Sequence, residues 1–155
     1  MTQTSNLPIR VRPANQEDVP FIFSSWLKSY RYSGFAKKIS NTVYYTEHHK
    51  TIEKIVRCNE VYIACNKEEP NQIYGWIAGT RVDHIFVLHY VYVKQLFRRQ
   101  GIARMLLKDA FDHNPEVASV FTHHMDDIAD KLAAKYNMVY SPYLAFNIEE
   151  NDDAS

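Results

Sequence analysis

"VYVKQLFRRQGIARMLLKDAF", residues 91–111, decides how this chain is read. It begins as an apolar strand, passes through a basic loop with a single glycine, and continues as an amphipathic helix. The chain holds four glycines, Gly34, Gly75, Gly79 and Gly101, so the last one is placed sparingly. A strand feeding a short loop into a helix start is an anion site, because the first helical N–H groups lack intrahelical partners and the helix dipole is positive there. Gly101 lets a ligand approach the backbone closely. Arg98, Arg99 and Arg104 add the charge that an extended anion such as a pyrophosphate requires. The spacing excludes two phosphate binders, since neither G-x-x-x-x-G-K-[ST] nor G-x-G-x-x-G is present.

The whole chain bounds the possibilities further. At 155 residues and 46% hydrophobic, it suits one compact domain over residues 1–148, followed by an acidic, frayed tail over 149–155. No run of about 18 apolar residues exists, and the start lacks the order of a signal peptide, so a soluble, cytoplasmic protein without a membrane partner is expected. Cys58 and Cys65 fit neither a disulfide framework nor a zinc site, and no metal is expected. The formal charge is zero, but residues 1–148 carry 18 basic against 14 acidic groups, a mild excess of +4. That excess disfavours nucleic acid as a partner and suits an anionic small ligand. A homodimer is left open.

Working outward, "IRVRP" alternates as a half-exposed strand. Asn15 and Asp18 open a helix whose stripe is Val19, Ile22, Phe23, Trp26, Leu27 and Tyr30. Residues 32–45 lack a period and read as a substrate loop. A second helix over 46–58 has Ile52, Ile55 and Val56 on one face, with His48 and His49 exposed. "VYIACN", "IYGWIAGTRV" and "IFVLHYVYVK" read as strands, the last buried on both faces. A helix from Gly101 to Asn114 is stopped by Pro115. "VASVFTHH" is a strand, "DDIADKLAAKY" a last helix, and "MVYSPYLAFNI" one or two closing strands. The order is β-α-α-β-β-β-α-β-α-β, an α/β (α+β) architecture.

The run Arg98-Arg99-Gln100-Gly101-Ile102-Ala103 resembles the acetyl-coenzyme A loop of the GNAT N-acetyltransferase superfamily, whose pattern is Gln or Arg, two residues, Gly, any residue, then Gly or Ala. The element order over residues 9–148 is similar to that family's layout. The resemblance implies a mixed, mostly antiparallel central sheet with helices on both faces, splayed between the fourth and fifth strands. It implies acetyl-CoA as acetyl donor, its pyrophosphate held around residues 98–103 and Arg104, and its pantetheine arm paired with the main chain of Tyr90, Val91, Tyr92 and Val93. The implied activity is acetyl transfer to a primary amine, on a protein or a small molecule, by direct attack. The alternative is a catalytically weak domain that serves as a CoA-binding or interaction module.

Direct transfer needs a route for the amine proton, a donor to the thioester oxygen and an acid for the thiolate. His89 is the base candidate, because it precedes the strand segment implied to pair with the cofactor; the other reading is a core histidine bonded to a neighbouring strand. His123 or His124 could line the acceptor pocket, or serve as caps or surface groups. Tyr32, Tyr44 and Tyr45 could wall the acceptor or simply pack. Many family members carry a tyrosine in the last helix, five residues before the phenylalanine of a Gly-Phe pair. Here that position is Ala133 and the pair is Asn137-Met138, so the usual acid is missing and Asn137 must adopt the helix-end conformation that glycine provides. Tyr136 reads as a packing residue.

Overall fold

The computed structural model describes residues 7–113, 116–124, 131 and 134–145. Six strands form one sheet in sequence order: β1 (Ile9–Pro13), β2 (Glu60–Asn66), β3 (Ile73–Val82), β4 (Ile85–Val93), β5 (Ser119–Phe121) and β6 (Met138–Tyr140). The pairs from β1 to β4 are antiparallel, and β4–β5 and β5–β6 are parallel. Parallel neighbours need a crossover. Helix α3 (Ile102–Phe111) supplies the one from β4 to β5. The sheet is mixed and mostly antiparallel, as its resemblance implied.

Helices α1 (Val19–Tyr30) and α2 (Asn41–Cys58) cover one face, where Ile22, Trp26, Ile52 and Ile55 pack on Ile63 and Trp76. Helix α3 covers the other, placing Leu106, Leu107 and Phe111 on Ile77 and Phe86. Alternation along each strand feeds both cores, which is why β3 and β4 are nearly apolar throughout.

One irregularity matters. Gly79 pairs with Leu88 and Ala78 pairs with Tyr90, so His89 is an extra residue bulged out of the β4 register. Phe86 and Leu88 face the α3 core; two-residue alternation alone would send Tyr90 there as well. The bulge instead turns Tyr90 toward α1, where it stacks on Trp26 at 4.8 Å, and puts Val91 on the α3 side. Gly79 permits the close approach, since a Cβ there would lie 2.7 Å from the Val87 carbonyl oxygen.

Several sequence expectations need correction. Helix α2 begins at Asn41, capped by Ser40, whose side chain accepts from the Val43 N–H. The irregular segment is therefore shorter than residues 32–45; exposed Val43 and Tyr45 in the first turn hid the helical period. Helix α3 ends at Phe111, because Asp112 takes a left-handed conformation (φ 51°) and the His113 N–H returns to the Leu107 carbonyl at 3.1 Å. Pro115 lies outside the described residues, as do Ala133, most of "DDIADKLAAKY" and the acidic tail. Among the described residues the closing segment holds the strand β6 followed by a 3-10 turn, Pro142–Ala145; residues 146–148 lie outside them.

The start of α1 is clasped to the sheet edge. Asn15 and Asp18 form a capping box around a 3-10 turn, Gln16–Asp18, and Asp18 also accepts from both terminal guanidinium nitrogens of Arg12 at 2.7 and 3.0 Å. Burial alone would raise the Asp18 pKa, but the bonds from Arg12 and the Asn15 N–H outweigh it and hold the carboxyl below its ordinary value. Both side chains are buried. Breaking such a pair strands a charge, so Asp18→Asn should lower stability by about 3 kcal/mol in urea unfolding. A loss near zero would show that the clasp contributes little.

Candidate active site

Strands β4 and β5 share three rungs, Phe86 with Ser119 to Leu88 with Phe121, and a last bond from the Thr122 N–H to the Leu88 carbonyl at 3.0 Å. Beyond that β5 stops, while β4 runs on to Val93. The two strands splay. On its β3 side, β4 remains bonded, and the Lys94 N–H still reaches the Tyr74 carbonyl. Antiparallel alternation therefore turns the main-chain groups of Val91 and Val93 to the open side. Arg98 Nε bonds the Val93 carbonyl there at 2.8 Å.

A groove of about 800 Å³ occupies this opening. All the cofactor positions expected from sequence line it except Gln100, which is off the wall. Three arginines, Arg98, Arg99 and Arg104, are joined by Lys131 and Lys135 from the last helix, and no carboxylate is among the described lining residues. Arg99 and Gly101 both have positive φ, 67° and 78°. A loop of this shape points successive N–H groups into one concavity. It leads into the N-terminus of α3, which has no side-chain cap. A Cβ on Gly101 would meet nothing within 4 Å, so the space beside it is open to a ligand. Phosphate-like anions suit this cradle, and an extended chain suits the free edge of β4.

A second cavity, about 430 Å³, lies between α2, the end of β5 and the turn after β6. Tyr30 lines both cavities, and no other described residue does. Its walls include Tyr44, His48, Thr122 and His123. His48 is stacked between Tyr30 (4.9 Å) and Tyr44 (5.3 Å), which corrects the expectation that it is exposed. The signal was present: Tyr44, His48, Ile52 and Ile55 recur at helical spacing on the buried stripe of α2. Burial pushes the His48 pKa down to about 4.

His89 lines neither cavity. It is buried, and its Nδ1 lies 3.0 Å from Thr122 Oγ1, which in turn is 3.0 Å from His123 Nδ1. Thr122 has one hydroxyl proton, so it can donate to only one of the two rings. Burial lowers His89 to about 4 and His123 well below its ordinary value, the latter helped by the neighbouring His48 and His89. At neutral pH these three rings are neutral. Among the described residues, no three His, Cys, Asp or Glu side chains are placed to hold a metal ion.

Of the remaining candidates, His124 packs on Phe121 and Tyr140 and is off both walls. Tyr32 stands exposed beside the groove, Tyr44 lines the second cavity while bonding the Leu27 carbonyl, and Tyr45 packs edge-on against Tyr44. Tyr136 lines the groove, and it also packs against the α3 core. Asn137 has φ 57°, the conformation expected of it. Sequence reasoning missed Tyr30, Ser29 and Thr122. Thr122, between Phe121 and the histidine pair, carries no pattern that would single it out.

The fold is shared with proteins of known structure. The chain is similar to a provisionally named acetyl transferase from Pyrococcus furiosus (19% identity over 81% of this chain and 89% of that one, TM-score 0.60). It is also similar to the PaiA N-acetyltransferase from Thermoplasma acidophilum, solved in complex with coenzyme A (16%, 67% and 70%, 0.51). A third is the GNAT family N-acetyltransferase YhbS from Escherichia coli, in complex with CoA, of whose length this chain spans 59% (18%, 72% of this chain, 0.50). No curated protein matches the chain. The profile of the acetyltransferase (GNAT) domain matches residues 57–136, more than half of the sequence and the part that forms β2 to α3 and most of the groove wall. The chain belongs to the GNAT acetyltransferase family.

Proposed function

We propose that this chain is an N-acetyltransferase that moves acetyl from acetyl-CoA to a primary amine by direct attack. The observation that carries this reading is the meeting, in one cationic groove, of the unpaired edge of β4 with the loop at Gly101. Coenzyme A complexes of the Thermoplasma and Escherichia coli relatives support it. The main chain of Val91 and Val93 would pair with the pantetheine arm. The loop amides around Gly101, with Arg99, Arg104 and the α3 N-terminus, would hold the pyrophosphate. Bound there, acetyl-CoA supplies an activated acyl group.

The second cavity is the acceptor site in this reading, because Tyr30 joins it to the groove. Lining both cavities, Tyr30 would also protonate the leaving thiolate, filling the role left open by the last helix. The raised pKa of Tyr90, caused first by burial, makes that residue a poorer acid. His89 acts through Thr122 on His123 rather than by touching the amine, and is a positioning residue for the ring at the pocket wall.

Three outcomes test these assignments. Acetyl-CoA should raise the melting temperature of the chain, and Gly101→Asp should abolish the rise. Aspartate tolerates positive φ better than most residues, so the loss would report charge beside a pyrophosphate rather than a broken loop; Gly101→Asn, equally tolerant and uncharged, is the control. An unchanged shift in Gly101→Asp would remove the loop from cofactor binding. Tyr30→Phe should lower kcat about tenfold or more with the acetyl-CoA shift kept, as loss of an acid requires; full turnover would exclude Tyr30.

The third concerns His89. Its folded pKa lies near 4 against an ordinary 6.5, so between those values the unfolded chain binds the extra proton. Stability therefore falls as pH drops from 6.5 toward 4. His89→Gln should flatten the dependence of melting temperature on pH in that window and lower turnover, with the acetyl-CoA shift retained. Turnover equal to wild type across pH would take His89 out of the mechanism.

A further inference from the structure

The acceptor cavity is built for a particular kind of amine. Its walls are aromatic: Tyr30 and Tyr44 line it inside, and Phe35 and Tyr143 stand exposed at its rim. The polar groups that face it are the half-buried ring of His48 and the buried ring of His123, with Thr122 behind them. His48 Nε2 is buried and has no hydrogen-bond partner. Glu47 is the one carboxylate among the described lining residues, and it is ion-paired with Lys50 at 3.3 Å on the exposed side of α2.

Consider what a cation would meet here. Neither ring is paired with a carboxylate: His48 is held by stacking on Tyr30 and Tyr44, and His123 bonds Thr122. Inside the cavity the Tyr44 ring is already engaged, because it stacks on His48 and also carries the Arg31 guanidinium 4.9 Å from its centroid. Arg31 places a fixed positive charge near the wall. From β4, the groups behind are His89, a neutral ring, and Tyr90, whose hydroxyl is bonded to Ser29. The end of β6 contributes Tyr140 and the turn after it Tyr143. A buried ammonium would be desolvated without a counter-charge. A planar, uncharged ring would fit the walls and lose little hydration on entry.

We infer that this pocket takes a small, flat, weakly basic aromatic amine, one that is uncharged at neutral pH, in preference to an alkylammonium or a lysine side chain. The inference rests on the acetyl-transfer reading and names its acceptor class. The low basicity of His48 and His123 agrees with it: such rings are too weak to strip a proton from an alkylammonium, but can take one from a nitrogen that has already bonded to carbon.

The step balances. The amine lone pair forms a C–N bond to the thioester carbonyl carbon, the C–S bond breaks, and its electron pair leaves on sulfur. Nitrogen gives one proton to His48 Nε2, the thiolate takes one proton from Tyr30, and the proton on His48 then passes to the tyrosinate of Tyr30, directly or through water, so the products are an N-aryl acetamide and the free thiol with both side chains restored.

The test uses the full chain with acetyl-CoA at neutral pH, reading release of CoA thiol with 4-methoxyaniline, 2-phenylethylamine and a lysine-containing peptide. The expected result is a kcat/KM for 4-methoxyaniline about tenfold or more above either alternative. Tyr143→Ala, a substitution at the exposed rim, should raise KM for 4-methoxyaniline severalfold and leave the acetyl-CoA melting shift unchanged. Equal or faster turnover of 2-phenylethylamine or the peptide overturns the inference. So does inert 4-methoxyaniline in a chain that acetyl-CoA stabilises. Loss of that stabilisation itself would instead bring down the acetyl-transfer reading on which the inference stands.

Discussion

The architecture depends on where β4 loses β5. Three parallel rungs hold the strands together through Leu88 and Phe121, and after the Thr122 N–H has bonded the Leu88 carbonyl the described residues pair no further. A half-paired strand inside a sheet normally carries a desolvation cost, because its N–H and C=O groups have neither water nor a neighbour. Here the groove opens at that point, so the free edge is reachable by solvent or by an extended ligand. Arg98 already bonds one of the exposed carbonyls, which ties the basic loop to the strand edge and sets the direction in which the loop enters α3.

The bulge at His89 sits at the same level of the sheet, and the two features work together. By inserting one residue, it exchanges the faces of all that follows in β4, sending Tyr90 into the aromatic cluster with Trp26 and Trp76 and leaving Val91 and Val93 beside the α3 core. It also brings His89 next to Thr122 at the point of divergence. The result is a floor of neutral hydrogen-bonding side chains directly under the junction of the two cavities. Strand geometry thus creates both the cradle for an anion and the uncharged wall behind it.

The two cavities differ in electrostatic character for a simple reason. The groove collects its charge from a loop and two helix ends that face water, where arginine and lysine are cheaply solvated and available to an anion. The second cavity is formed between packed elements, α2 against the end of β5 and the turn after β6, so its polar members are rings that can be buried neutral. Tyr30, at the end of α1, is the seam.

Much of this was legible in the chain. Period and capping residues placed α1, β1 to β4 and the start of α3, and "RRQGIA" marked the basic loop, because local propensity, hydrophobic alternation and a lone glycine among arginines before a helix are properties of neighbouring residues. The start of α2 was hidden by the exposed Val43 and Tyr45, and the end of α3 by an aspartate doing the work of a glycine. What only the tertiary structure decided is which side chains meet. That His48 lies under Tyr30, that Thr122 links His89 to His123, and that His89 itself stands behind the wall follow from helix docking and strand register between residues 18 and 33 positions apart. Such contacts leave no period in the sequence, since register is set by the packing of the whole sheet.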